Sequence, residues 1–458
     1  MNRVVFQISA LGRSAVPLVS LVEPTDPKTY HEEFTCPAVA MAAPASDAEA
    51  DYGGRLYDAL SVNTVLRDHL IGARTSRDER FGVCAEILPQ SKTDALAWET
   101  LRFPDEDGQQ YLALSTKYAF ARVVAAGQPR VPVYQLAPPV RVVAVLSCLG
   151  VAAEQEIAEL RRAAMPPDAA HGPRMSILFV LGEADLAVGL EAERTAGTAP
   201  EIAGVHLVPT DFHVLRQLVR DFRPHVLHLF AHGSPDGTVR LALRTDWGAA
   251  TPGPGLALDK EQVAELTRNT DGGFWLVVLN CCASAAVDEE AGLTSLAREL
   301  VSKGSAHAVV GMRAPIRSLL AQNVTKSLYG TLLDDLGARI DAPSPTATPV
   351  DWAVLVATAR QRLATARELN DGPAPGPERE WTVPALYLRK DEFQLQIVDD
   401  GPEVADHRLE RLELTALMSV RTSLPPDTGA SFRAAVEARI TEIAPGLGLA
   451  PDSLEEEP

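Results

Sequence analysis

Two apolar runs in this chain end on residues that can do chemistry. "HVLHLFAHG" (225–233) closes on His232 and Gly233, and "FWLVVLNCC" (274–282) closes on Cys281 and Cys282. An imidazole beside a thiol lowers the thiol pKa and favours the thiolate, which is the nucleophile. Gly233 has no Cβ, so its backbone N–H can approach a reacting carbonyl closely. Paired with the N–H of Cys282, it would form an oxyanion hole. The neighbours Cys281 and Cys282 point to opposite faces of a strand, so one of them at most can share the imidazole's side. All of this requires the two runs to be adjacent strands that end at the same rim, where ligands collect in an open parallel sheet.

The elements that would hold such a rim are legible from hydrophobic spacing. From Val140 onward, strands alternate with helices. Strands are expected at 140–148, 176–182, 203–209, 225–231, 273–280 and 306–312. Helices are expected at 154–164, 210–222, 292–304, 318–337 and 351–368, with Thr210 or Asp211 as a cap and Gly304 as a stop. A last strand is expected at 381–390. Near-continuous apolar strands separated by helices predict a parallel sheet covered on both faces. Before this lie a strand pair within 1–40, a helix over 55–73, and a short helix holding Trp98. "GQPRVPVYQLAPP" (127–139) is proline-rich and marks a boundary. The expected organisation is an N-terminal α+β subdomain (1–135), an α/β domain (136–396) and an acidic tail with two short helices (397–458).

Composition narrows the function classes. Net charge is −19, which opposes direct nucleic-acid binding. No run of 18 apolar residues exists and the N-terminus lacks a continuous apolar core, so neither a membrane span nor a secretion signal is expected. Five cysteines without framework spacing point to a reducing, cytoplasmic setting. No CxxC pair occurs, so neither a metal nor another cofactor is expected.

The order of the pair is informative. The histidine stands fifty residues before Cys282, whereas papain-like and glutamine-amidotransferase sites place the cysteine first; caspases place the histidine upstream. Here the chain resembles the CHAT peptidases, the bacterial caspase-like group related to separase. "RPHVLHLFAHG" resembles the family's histidine strand and "LVVLNCCASA" its cysteine strand, usually L-N-A-C-E-S. "GSAHAVVGMRAPI" resembles the strand that follows, "WTVPALYLR" the closing strand, and "LAWETLRFPDEDGQQYLALS" the opening of the domain. The resemblance runs over about residues 90–390.

It implies a caspase-like three-layer sandwich and a cysteine endopeptidase. His232 would be the general base, Cys282 the nucleophile, and Gly233 with Cys282 the oxyanion hole. Cys281 replaces the usual alanine, and Ala283 and Ser284 replace the usual Glu-Ser. A further departure is a longer strand-helix unit near 150–200. A substrate peptide would add as a strand along a sheet edge at 309–315, bringing in Met312 and Arg313. Asn280 would line the P1 pocket, its neutrality disfavouring a strictly basic P1 residue. Arg313 would favour an acidic or polar one, or else be a solvated loop residue. His228 shares a face with Phe230 and His232 and is expected in the core. The implied partners are a protein substrate and an activating or regulatory protein, in a bacterial defence or cell-death setting. The alternative is a catalytically silent scaffold of the same fold.

Overall fold

The computed structural model describes residues 2–10, 17–23, 32–33, 47–75, 80–88, 92–103, 110–125, 133–147, 151, 153–165, 172–234, 237–243, 255–267, 274–281, 295–314, 318–370, 380–398, 437 and 440. The strands used below are β1 (Asn2–Ala10), β2 (Pro17–Glu23), β3 (Phe81–Glu86), β4 (Phe120–Val124), β5 (Val140–Ser147), β6 (Met175–Leu181), β7 (Ile202–Leu207), β8 (Val226–Gly233), β9 (Val239–Ala242), β10 (Gly255–Leu258), β11 (Phe274–Cys281), β12 (Ala306–Met312) and β13 (Pro384–Arg389). The helices are α1 (Asp47–Ser61), α2 (Thr64–Thr75), α3 (Glu154–Ala164), α4 (Ala184–Thr195), α5 (Phe212–Phe222), α6 (Lys260–Thr267), α7 (Leu296–Ser302), α8 (Ser318–Asp341) and α9 (Trp352–Asn370).

One long sheet runs in the order β7-β6-β5-β8-β11-β12-β13-β4-β3-β1-β2. The six strands from β7 to β12 are mutually parallel. The five from β6 to β12 in that order are apolar along nearly their whole length because both faces are covered, whereas β7 at the edge is buried only at Ile202. The chain lays down β5, β6 and β7 outward in one direction, then returns to place β8 against β5 and continues to β11 and β12. The order therefore reverses between β5 and β8, and β8 carries His232. That reversal opens a crevice beyond the strand ends in sheets of this kind.

Helices α3 and α8 pack together on one face. Residues of α5, α6 and α7 share the core of the other face with Leu227, Leu229, Val277 and Leu279. The cap expected at Thr210 or Asp211 is formed by Asp211, whose side chain accepts from the His213 N–H at 2.7 Å at the start of α5; Ser295, where no cap is expected from sequence, accepts from the Arg298 N–H at 3.2 Å at the start of α7.

The strands of the N-terminal region belong to this same sheet. β13 runs antiparallel to β12, and β4, β3 and β1 follow it in parallel. The layered α/β arrangement is thus a mixed sheet of two oppositely directed parallel blocks. The strand pair expected within 1–40 is the antiparallel pair β1–β2. Helix α4 and the hairpin partners β9 and β10 have no counterpart in the elements expected from sequence.

One expectation is overturned. Within the expected 309–315 segment, residues 309–311 are not an edge: β12 is paired there with β11 on one side and with β13 on the other. The Arg313 N–H extends that ladder to the Val383 carbonyl at 2.9 Å. Residues 308–311 are therefore paired on both sides, and no peptide strand can add along them.

Two compact units are distinguished: Met1–Tyr134 with Pro139–Gln396, and Gln135–Pro138 with Ile397–Pro458. The first holds everything described above. In the second, the Val398 N–H donates to the Leu136 carbonyl at 2.9 Å, and Ile440 is buried. The two tail helices expected from sequence fall largely outside the described residues.

Candidate active site

β8 and β11 are neighbours in register from Val226↔Leu276 to Ala231↔Cys281. His228, Phe230 and His232 alternate onto one face of β8. His228 and Phe230 are buried, while His232 is exposed and Gly233 is partly exposed. Beyond Ala231 the strand leaves the main ladder, and His232 and Gly233 pair instead with Arg240 and Val239 of β9. A tight turn closes that hairpin. The Ser234 N–H donates to the Thr238 carbonyl at 3.0 Å, and the Gly237 N–H donates to the Ser234 carbonyl at 2.9 Å. Gly237 has φ of +81°, and a Cβ there would lie 2.2 Å from Lys260 Cε. Only glycine fits both conditions.

Cys281 is fully buried, and its Sγ lies 3.5 Å from the Leu229 carbonyl. Its thiol faces the core shared with α6 and α7, away from the face of His228. Cys282, Ala283 and Ser284 lie outside the described residues.

The three residues expected to touch substrate are turned inward. Asn280 is 2% exposed; its amide donates to Glu156 Oε1 at 3.0 Å, to the Ala321 carbonyl at 3.0 Å and to Thr325 Oγ1 at 3.1 Å. Alternation along β11 sends its side chain beneath the rim, between α3 and α8. Met312 is fully buried. The Arg313 side chain is 8% exposed and lies 3.9 Å from Glu99, with Thr382 as a further partner. These side chains spend their contacts on the interior.

Asn280 belongs to a polar cluster that sequence patterning did not reveal. Glu156 of α3 is fully buried, and its Oε1 accepts from His228 Nε2 at 2.8 Å, from Asn280, and from the Thr325 hydroxyl. The Tyr329 ring meets the His228 ring edge-on at 5.5 Å. Burial, with Glu156 adding to it, raises the Tyr329 hydroxyl pKa well above its usual value. Glu156 Oε2, His228 Nδ1, Asn280 Oδ1 and the Tyr329 hydroxyl are buried without a hydrogen-bond partner. A signal for Glu156 exists in the sequence: it stands one turn before Leu160, on the apolar stripe of α3, where a carboxylate is costly.

A second buried cluster surrounds Arg122 of β4. Its guanidinium donates to Glu99 at 3.0 and 2.7 Å, to Asp94 at 3.2 Å and to the Tyr387 hydroxyl at 3.2 Å. Burial pushes the Glu99 carboxyl up, but Arg122, Arg360 and Arg313 outweigh it and hold it below the usual range. Arg360 is pushed down to about 10, chiefly by burial. Trp98 packs between Phe6 at 5.5 Å and Phe120 at 6.5 Å, joining the 98–100 turn to β1 and β4. Among the described residues, no three His, Cys, Asp or Glu side chains are grouped to hold a metal ion. No helix described is long and apolar enough to cross a membrane.

The family model of the CHAT domain matches residues 51–347. The chain belongs to the CHAT domain family. The match begins about forty residues earlier than the sequence resemblance and stops short of the closing strand at 384–389. No curated protein matches the chain. Among solved structures, it is similar to the Saccharomyces cerevisiae separase–securin complex, at 12% identity and a TM-score of 0.37 over 75% of this chain and 18% of that one. A second structure of that complex gives 9% identity and a TM-score of 0.42, covering 86% of this chain and 30% of that one. The Arg-specific cysteine proteinase gingipain R gives 10% identity and a TM-score of 0.36, covering 72% and 68%. The CHAT chain thus spans less than a third of the separase chains it matches.

Proposed function

We propose that this CHAT protein is a cysteine endopeptidase with Cys282 as nucleophile and His232 as its proton-transfer partner. The observation that carries this is the register of β8 and β11. Their last main-ladder pair is Ala231↔Cys281, so His232 and Cys282 are each the next residue in the chain after that pair. His232 is exposed there, and alternation along the paired strands puts it on the face of the sheet that Asn280 shares.

The Cys282 thiol gives its proton to His232, and the thiolate attacks a peptide carbonyl. The C–N bond breaks as the imidazolium returns the proton to the leaving amine. Water then attacks the thioester, giving one proton to His232; the C–S bond breaks, the Cys282 thiolate is restored beside the imidazolium, and the acid product leaves. The N–H groups of Gly233 and Cys282 would hold the oxyanion. A bacterial partner protein cut within the cytoplasm in a defence or cell-death response, after a regulatory protein acts, is the setting this chemistry suits. The P1 preference cannot reside in the Asn280 or Met312 side chains, which are buried.

The test is labelling with an acyloxymethyl-ketone probe together with turnover of a peptide library. Cys282→Ala and His232→Ala should each lose labelling and turnover while keeping the parental melting temperature. Undiminished labelling in Cys282→Ala refutes the assignment, and absence of turnover with every peptide and candidate partner favours a silent scaffold.

A further inference from the structure

We propose that Glu156 is a positioning residue for His232: its carboxylate ties the upper ends of β8 and β11 to α3 and α8 and so fixes where the imidazole stands. This rests on the peptidase reading for its consequence in turnover, but not for its geometry.

His232 lies past the last pair of the main ladder and is paired with Arg240 of β9. Its position depends on that pairing and on what holds residues 228–231 of its own strand. Glu156 Oε1 takes hydrogen bonds from His228 on β8 and from Asn280 on β11. Asn280 is paired with Phe230, one step below that last pair. The same oxygen takes the Thr325 hydroxyl of α8. One atom thereby joins two strands and two helices on the face that His232 shares.

Glu156, His228 and Thr325 are fully buried and Asn280 nearly so, so bulk water cannot replace the bonds. A carboxylate at this place costs desolvation that an apolar side chain of similar volume would avoid. Its four unpartnered buried neighbours, Oε2 of Glu156 itself among them, add to that cost. Stability alone would be served as well by apolar residues at all four positions, whereas removing the carboxylate by itself takes the acceptor from three buried donors. What the carboxylate adds is a single acceptor that fixes three donors from different elements in one place.

Three variants separate positioning from packing. Glu156→Gln keeps an acceptor oxygen for the three donors; Glu156→Leu removes it; Thr325→Val removes one donor with almost no change of volume. Two readouts are used: kcat and KM on a cleaved peptide, and the NMR pH titration of the His232 imidazole, assigned with His232→Asn. Glu156→Leu should lower kcat about 10- to 100-fold with KM within about threefold, the scale of a displaced catalytic group. It should also move or broaden the His232 resonance. Glu156→Gln should stay within about threefold of the parent in kcat and keep the resonance in place, because the acceptor survives. Thr325→Val should fall between them, and it carries the test if Glu156→Leu does not fold.

A folded Glu156→Leu with parental kcat and an unmoved His232 resonance overturns the proposal. So does a Glu156→Gln as impaired as the leucine variant. If the parent cleaves nothing, the peptidase reading fails, and the His232 resonance still decides the positioning by itself.

Discussion

Acid should unfold this protein in part through His225, at the opposite end of β8 from His232. The His225 Nδ1 accepts the Arg141 backbone N–H at 3.1 Å, and its ring stacks on Trp275 at 4.1 Å between centroids. An accepting Nδ1 requires the neutral imidazole. Burial, reinforced by the Arg141 guanidinium, holds its pKa well below the ordinary 6.5. The sign follows directly: as pH falls through about 6.5, the unfolded chain takes a proton on this side chain and the native state refuses it. The native state therefore loses about 1.4 kcal/mol per pH unit below that point. At pH 5 the loss is about 2 kcal/mol, provided the native imidazole is still neutral.

His225→Asn places an amide oxygen where Nδ1 stood and cannot titrate. It should be less stable than the parent at pH 8 by about 1 kcal/mol, for the lost ring stacking. Urea unfolding of both proteins from pH 8 to pH 5 gives the difference at each pH, in which all other titrating groups cancel. That difference should be flat above pH 7 and fall by about 2 kcal/mol by pH 5, reversing sign so that the variant becomes the more stable by about 1 kcal/mol. A difference independent of pH across the whole range would refute the account, because it would mean that the native state protonates this histidine as readily as the unfolded chain.

Two other substitutions probe the elements around the site. Arg122→Met leaves Glu99 and Asp94 buried without their main cation, and should cost about 3–5 kcal/mol in urea unfolding; a loss under 1 kcal/mol would show that the cluster relaxes around the gap. Gly237→Ala forces a Cβ into a left-handed turn and against Lys260. It should destabilise by about 1–3 kcal/mol and lower turnover more than a surface glycine such as Gly72, where a Cβ meets nothing within 4 Å; an unchanged melting temperature would place the hairpin outside the folded core.

Local pattern was sufficient for the part of the fold where burial is uniform along an element. β5, β6, β8, β11 and β12 are read from sequence to within two residues because a strand buried on both faces is apolar throughout. The helices α3, α5, α8 and α9 follow from their apolar stripes. The histidine and cysteine stand out because each interrupts such a run at its end. The sequence also determined the order of the two, and with it the family.

Tertiary structure alone decided which strands are neighbours beyond β12. Nothing local tells a strand whether it stands at an edge or in the interior, since that depends on a partner many residues away. Here β13 pairs with β12 along 308–312, where a sheet edge was expected, and carries β4, β3 and β1 into the same sheet. The side chains of Asn280, Met312 and Arg313 were misjudged for the same reason. A polar residue near a strand end has the same sequence signature whether it meets solvent or a buried partner, and Asn280 meets Glu156 from a helix 124 residues earlier. Such contacts are fixed by packing between distant segments, and periodicity along one segment carries no record of them.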